Sequence, residues 1–227
     1  MLTKISMFNF TKLYRFEVLL LLTFTVIFCF SLSLLRFAFT DSLAYIFLNW
    51  NLFLAIVPCF FSSYLVTHRA TINRYTFFLL ASAWLLFFPN SPYILTDLFH
   101  LHERDGMPKW YDLIMILSYA WAGLLFGFMS LFQIEKILLE KLSTIKTKII
   151  IVALMFIASF GVYIGRFLRW NSWDIVSNPM ALFADIADRF IHPFSHGRTW
   201  GLTLLMGTLL SMIYFSAKMM MKGVRRG

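Results

Sequence analysis

Charge is scarce in this chain. Of its 227 residues only 14% are Asp, Glu, Lys or Arg, against about 25% in an ordinary soluble domain. Cysteine is scarcer still. Cys29 and Cys59 both sit inside apolar runs and lack metal-ligand spacing, so neither a disulfide scaffold nor a thiolate metal cluster is available. There is no internal repeat and no low-complexity tract. Gly-rich phosphate loops, Gly-x-Ser-x-Gly and His-Glu-x-x-His are absent, and with them the sequence signatures of P-loop enzymes, α/β-hydrolases and zincins. What fills the space is apolar: 60% hydrophobic residues, 27 phenylalanines and a mean hydropathy of +0.75. A soluble fold of this size cannot hide that much apolar surface. Disorder and a nucleic-acid-binding domain are excluded on the same ground.

The expected fold class is all-α, a polytopic membrane protein with six transmembrane helices in one domain over 1–227. A spanning helix needs about 20 mostly apolar residues. The runs are Val18–Phe39, Ile46–Val66 with Pro58 inside, Tyr75–Phe88 ending at Pro89, Leu113–Phe132, Ile149–Leu168 and Trp200–Ala217. The first is too long for a signal-peptide core and no small-x-small site follows it, so it reads as a retained helix.

Orientation follows from the basic residues. With the N-terminus inside, 13 of the 20 Lys and Arg fall on the cytoplasmic side and eight of the 11 acidic residues on the other. This places both termini in the cytoplasm of a bacterial inner membrane. Trp110, Tyr111, Trp170, Trp173 and Trp200 mark outer boundaries. The stretch Gln133–Lys148 reads as an amphipathic basic segment lying on the cytoplasmic surface near anionic lipid. Gly123/Gly127 and Gly161/Gly165 have the small-xxx-small spacing of closely packed helices.

Two outer segments break the apolar pattern. In the first, Pro89 ends a helix, and Ser91-Pro92 reads as an N-cap with proline at the first helical position. On the short helix that follows, Tyr93, Asp97, His100 and Arg104 form one polar stripe, which lipid does not tolerate. The second holds Arg166, Arg169, Asn171, Ser172 and Asp174. Asn178-Pro179 then opens an amphipathic helix, with Leu182, Phe183, Ile186 and Phe190 on one side and Asp185, Asp188 and Arg189 on the other. His192, His196 and Arg198 follow.

These residues admit several chemistries. Asp97 beside His100 is a candidate pair for proton transfer. Asp97, His100, His192 and His196 are candidate ligands for a divalent metal if the two segments meet. Arg166, Arg169 and Arg198 can grip a phosphate or carboxylate head group. They can equally pair with Asp97 and Asp174 and lock the loops. Asn90 is expected to bond loop backbone. No acidic residue falls at the middle of a span, which speaks against an ion-coupled transporter.

Two strings are distinctive: Phe88-Pro89-Asn90-Ser91-Pro92-Tyr93-Ile94-Leu95-Thr96-Asp97-Leu98, and Gly161 through Asp174. They resemble the hallmark stretches of a bacterial membrane-protein family known as domain-of-unknown-function family 1361, which implies the same architecture and no activity. The sequence therefore supports an outward-facing polar pocket near head-group level, acting on a lipid-linked or anionic envelope substrate. An assembly or accessory protein whose polar network is structural, and a small transporter, stand beside it. The partners expected are the bilayer and anionic or lipid-linked lipid, with no nucleic acid.

Overall fold

The structure is a computed structural model. It describes residues 2–102 and 106–224, with side chains for 16–102 and 106–221. Arg104 of the expected stripe lies outside the described residues. So do the side chains of Lys4, Lys12, Arg15, Lys222, Arg225 and Arg226, which entered the charge count.

In hydrocarbon every backbone N–H and C=O must be satisfied within its own segment, so apolar runs become helices. Six helices among the described residues are long and apolar enough to cross a membrane. They comprise α1 (Leu2–Thr40), α2 (Phe47–Thr67), α3 (Arg74–Phe87) with the helical turns that continue it, α5 (Lys109–Leu139), α6 (Thr144–Phe167) and α9 (Gly197–Val224). Short elements stand between them: α4 (Asn90–Tyr93) and a 3₁₀ turn (Ile94–His100) after α3, then α7 (Asp174–Ser177), α8 (Pro179–Ile191) and a second 3₁₀ turn (Pro193–His196) before α9. The fold is all-α and polytopic.

Helix starts are set locally. The Asn73 side chain accepts the Thr76 N–H at 2.8 Å and opens α3; Ser143 caps α6 through Lys146 N–H. At the centre, α5 buries residues around most of its circumference. It joins one core of α1 and α2 to another of α3, α6 and α9. By contrast α1, among its described side chains, buries one stripe, Thr25, Cys29, Leu32 and Arg36, with Val18, Leu22, Val26, Ser33 and Thr40 half-buried and the others exposed.

Several sequence expectations are corrected. The helices run past their apolar cores, so Gln133–Lys148 is no separate amphipathic segment lying along the surface. It is the last turns of α5, a short turn and the start of α6. Two of its polar groups face inward, while Lys136, Glu140, Lys141, Lys146 and Lys148 stay exposed: Gln133 bonds Ser62 and Ser63 of α2, and buried Glu135 pairs with Lys218 and accepts from Tyr214 Oη at 3.0 Å. At the opposite end Arg36 of α1 meets Asp112 of α5, Nε to Oδ1 at 2.7 Å, with both side chains at most 2% exposed.

Pro89 does not end the helical path either. Phe88, Pro89 and Ile94 all keep right-handed helical dihedrals. Proline lacks an N–H, so Pro89 and Pro92 break the α ladder, and the chain tightens into 3₁₀ geometry instead of turning away. Ser91 is consequently no cap. It lies within α4, fully buried, and donates its hydroxyl to Ala55 O of α2 at 2.9 Å.

Candidate functional site

The segment Pro89–Ile94 is a wedge driven between α5 and α6. It fits because glycines face it. A Cβ on Gly123 would fall 2.6 Å from Ser91 O, and one on Gly127 2.7 Å from Ser91 Cβ. On α6, a Cβ at Gly161 would meet Pro89 Cγ at 2.6 Å, and one at Gly165 would meet the Tyr93 ring at 3.3 Å. Both small-xxx-small pairs therefore serve one purpose. They seat the wedge, where the sequence pattern suggested helix against helix.

Beyond the wedge, 3₁₀ geometry carries Asp97 into the bundle, where it is 0% exposed. Asn51 of α2 donates Nδ2 to Oδ2 at 2.8 Å. Arg166 of α6 donates Nη1 to Oδ1 at 3.1 Å and reaches Tyr93 Oη at 3.3 Å; its Nη2 bonds Thr96 O. The Arg166 side chain is 11% exposed. Asp97 thus ties α2, the wedge and α6 together in one buried ion pair.

Beside this pair opens a cavity of about 450 Å³, within the usual range for small-molecule sites. Its walls come from α2, α3, α4, α6 and α8, and the loop Trp170–Trp173 lines it. Along α6 it follows Ile157, Phe160, Gly161, Ile164 and Gly165, roughly 12 Å of helix axis. Ile157 lies near the middle of α6, so the cavity reaches about halfway along that helix. Its polar side chains are Asn51, Ser82, Asn90, Tyr93, Asn171 and Ser172, with the indoles of Trp50, Trp170 and Trp173 beside them. Asn90 donates Nδ2 to Phe87 O at 2.9 Å and to Ser172 Oγ at 3.0 Å, and Ser172 in turn donates to Leu86 O at 3.2 Å. Asn51 and Tyr93 line the cavity on one side and touch the Asp97–Arg166 pair on the other.

A family model described as "Protein of unknown function (DUF1361)" matches residues 50–213, a span that contains the wedge, the buried pair and every cavity residue named. The chain belongs to the DUF1361 family. No curated protein and no solved structure matches it.

In this DUF1361 protein the other expected site residues fall outside that core. His100 ends the 3₁₀ turn. Its ring packs edge-on against Phe47 at 5.2 Å, and its carbonyl accepts from Tyr45 Oη. Arg169 is exposed and holds a left-handed backbone, φ +62°, where the chain leaves α6. Among the described residues it forms no ion pair with Asp174. That carboxylate instead accepts from Asn171 N–H at 2.6 Å, from Asn171 Nδ2 and from Ser177 Oγ. These bonds, the backbone one foremost, hold the Asp174 carboxyl below its ordinary value. Arg198 is exposed and lies over the Phe167 ring at 5.7 Å.

His192 and His196 both turn onto Asp188, at 2.9 and 2.7 Å on opposite oxygens. They are thereby committed to α8. Among the described residues no three His, Cys, Asp or Glu side chains are grouped to hold a metal. The condition on which the expected metal site rested, that Asp97 and His100 meet His192 and His196, is therefore not met among the described residues, because the Asp97 carboxylate is taken by Asn51 and Arg166 and the two histidines by Asp188.

Two features of α8 also depart from expectation. The Asn178 side chain makes no capping bond. Arg189, placed on the polar side by sequence, is only 8% exposed; it folds back on Asp185 O at 2.6 Å and on the Asp185 and Asp188 carboxylates. Asp185 also accepts Trp170 Nε1 at 2.7 Å, which fastens the cavity loop to α8. Sequence reasoning missed this clamp. Its only linear trace is the Asp185–Arg189 spacing of four.

Proposed function

We propose that this is a bacterial inner-membrane protein whose cavity accepts the apolar chain of a lipid-linked substrate, with the head group held at the Asn171 end. The observation that carries the reading is the cavity's course. It runs from a polar rim of asparagine, serine and tryptophan about halfway along α6, lined by Leu54, Leu85, Ile157 and Phe160. An amphiphile with one end in lipid and one at the interface has that polarity profile. The excess of Lys and Arg at the Glu135 end supports cytoplasmic termini and an Asp97 end facing outward.

In this reading the Asp97–Arg166 pair is a strut. Its groups bond each other, Asn51, Tyr93 and Thr96, and so fix the wedge that forms one cavity wall. A buried pair of this kind holds geometry more than it adds net stability. Proton transfer by Asp97 and His100 is the second reading, favoured by the route from the cavity through Asn51 to the Asp97 carboxylate.

The test is a variant that fills the cavity and spares the strut. Leu54→Trp is expected to remove lipid that co-purifies with the protein, as counted by native mass spectrometry, while the melting temperature stays within a few degrees. Undiminished co-purifying lipid in a folded Leu54→Trp protein contradicts the reading.

A further inference from the structure

We infer that the head group taken at the cavity rim is a neutral polyol, a sugar carried on a lipid, and not a phosphate or an ammonium group. This deepens the cavity reading and rests on it.

Asn51 points its amide nitrogen at the Asp97 carboxylate, Asn90 at the Phe87 carbonyl and Ser172, and Asn171 at the Asp174 carboxylate. Carboxylates and backbone carbonyls only accept, so these partners dictate which way each amide faces. The amide oxygen of each is left to offer a ligand, and no hydrogen bond to any of the three oxygens forms among the described residues. The three come from three different elements: α2, α4 and the loop after α6. Meanwhile two donors of the lining are used up. Trp170 Nε1 goes to Asp185 and the Ser172 hydroxyl to Leu86 O. The rim thus offers three amide oxygens as acceptors beside the hydroxyls of Ser82 and Tyr93 and the indole N–H groups of Trp50 and Trp173, a mixture that suits hydroxyl groups, which both donate and accept.

Charge points the same way. No Asp, Glu, Lys, Arg or His is among the described residues that line the cavity. Of the charges directly behind the wall, Asp97 is paired with Arg166 and Asp185 with Arg189, and the Asp174 carboxylate is taken up by Asn171 and Ser177. A phosphate entering here meets amide oxygens with no cation in the wall. A quaternary ammonium meets no free carboxylate in the wall and has no N–H to give the three oxygens. A sugar ring carries several hydroxyl donors around its edge. Its apolar face also suits the indoles of Trp50, Trp170 and Trp173, which line the same cavity.

The test uses the full chain in a polyoxyethylene detergent, which has no sugar head. Decyl glucoside, decyl phosphate, decyltrimethylammonium and decanol are added separately, and bound adducts are counted by native mass spectrometry. The expected result is decyl glucoside binding about tenfold more tightly than the phosphate or the ammonium compound. Asn171→Leu is expected to weaken the glucoside roughly fivefold, the value of one lost hydrogen bond, and to leave decanol unchanged. Equal or tighter binding of decyl phosphate or decyltrimethylammonium overturns the inference while the cavity reading stands. Decanol matching the glucoside overturns it as well, because the rim then reads no head group. Binding of none of the four overturns the cavity reading itself. The series on the unmodified chain decides the question even where Asn171→Leu does not fold.

Discussion

Ser91 lies so close to Gly127 that a methyl group on the glycine would fall 2.7 Å from the serine Cβ. The contact joins α5 to the wedge at a point where neither can yield, since Ser91 is also bonded to Ala55 O of α2. Gly127→Ala and Gly123→Ala are therefore expected to lower stability by about 1–3 kcal/mol each, the usual cost of overpacking. Gly123 is expected to be the worse of the two, because its obstacle is the Ser91 backbone oxygen. Gly201→Ala is the control: nothing lies within 4 Å of its Cβ position, and helix propensity favours alanine. Thermal unfolding in detergent measures all three.

Two of the buried ion pairs, Arg36–Asp112 and Asp97–Arg166, yield a contrast of single and double variants. Asp97→Asn leaves the Arg166 guanidinium without its anion, and Asp112→Asn does the same to Arg36. Each is expected to cost about 3–5 kcal/mol. Removing both partners, as Asp112→Leu with Arg36→Met, is expected to recover most of that loss. The Arg36 Nη1 nitrogen is buried with no partner in the native structure, so that pair already carries an unmet cost. A double-mutant cycle on melting curves reads the coupling.

Orientation is tested by single cysteines in a Cys29→Ala/Cys59→Ala background. Val176, at the Asp97 end, and Ile145, at the Glu135 end, are both well exposed. With cytoplasmic termini, a membrane-impermeant maleimide added to whole spheroplasts is expected to label Val176→Cys and to spare Ile145→Cys until the membrane is broken.

Acid is expected to loosen the join between α8 and α9. Asp188 accepts from His192 and then His196, which holds its carboxyl below the ordinary 3.8. A depressed folded value means that the stabilising contribution is present above that ordinary value and is lost as pH falls through the folded one. Hydrogen exchange of the backbone around His192–Gly197 is expected to quicken on acidification below about pH 4, beyond the intrinsic change. In Asp188→Asn the segment is expected to exchange fast across the range, with no such step.

Much of the fold was legible because hydrocarbon leaves an apolar run few options. The six spans stand in the sequence as six runs. The glycine pairs were legible as close-packing sites, but not their partner. Spacing shows that a helix face is small and not what lies upon it. Pro89 misled for a physical reason. Proline signals a helix end where water can take the freed carbonyls, whereas here the chain stays in the bundle and closes its bonds at shorter range through Pro92 and the 3₁₀ turn. The ends of α5 were hidden because Asp112 and Glu135 look like loop residues until Arg36 and Lys218, 76 and 83 positions away, arrive as partners. Arg189 was misplaced because its sequence position marks a polar face, while Asp185 and Asp188 draw it into cover. Within the site, Asp97, Asn90, Arg166 and Asn171 stood out by their polarity in an apolar context. Which of them meet is a matter of tertiary structure.

The central claim is that a lipid chain occupies the cavity beside the wedge. It is tested most directly by photo-crosslinking in native membranes, with a fatty acyl chain bearing a mid-chain diazirine and with adducts mapped by peptide mass spectrometry. The account predicts adducts concentrated on Leu54, Leu85 and Phe160, and their loss in Leu54→Trp. Adducts spread over the exposed faces at Leu34 and Leu79, with none in the cavity, would contradict it.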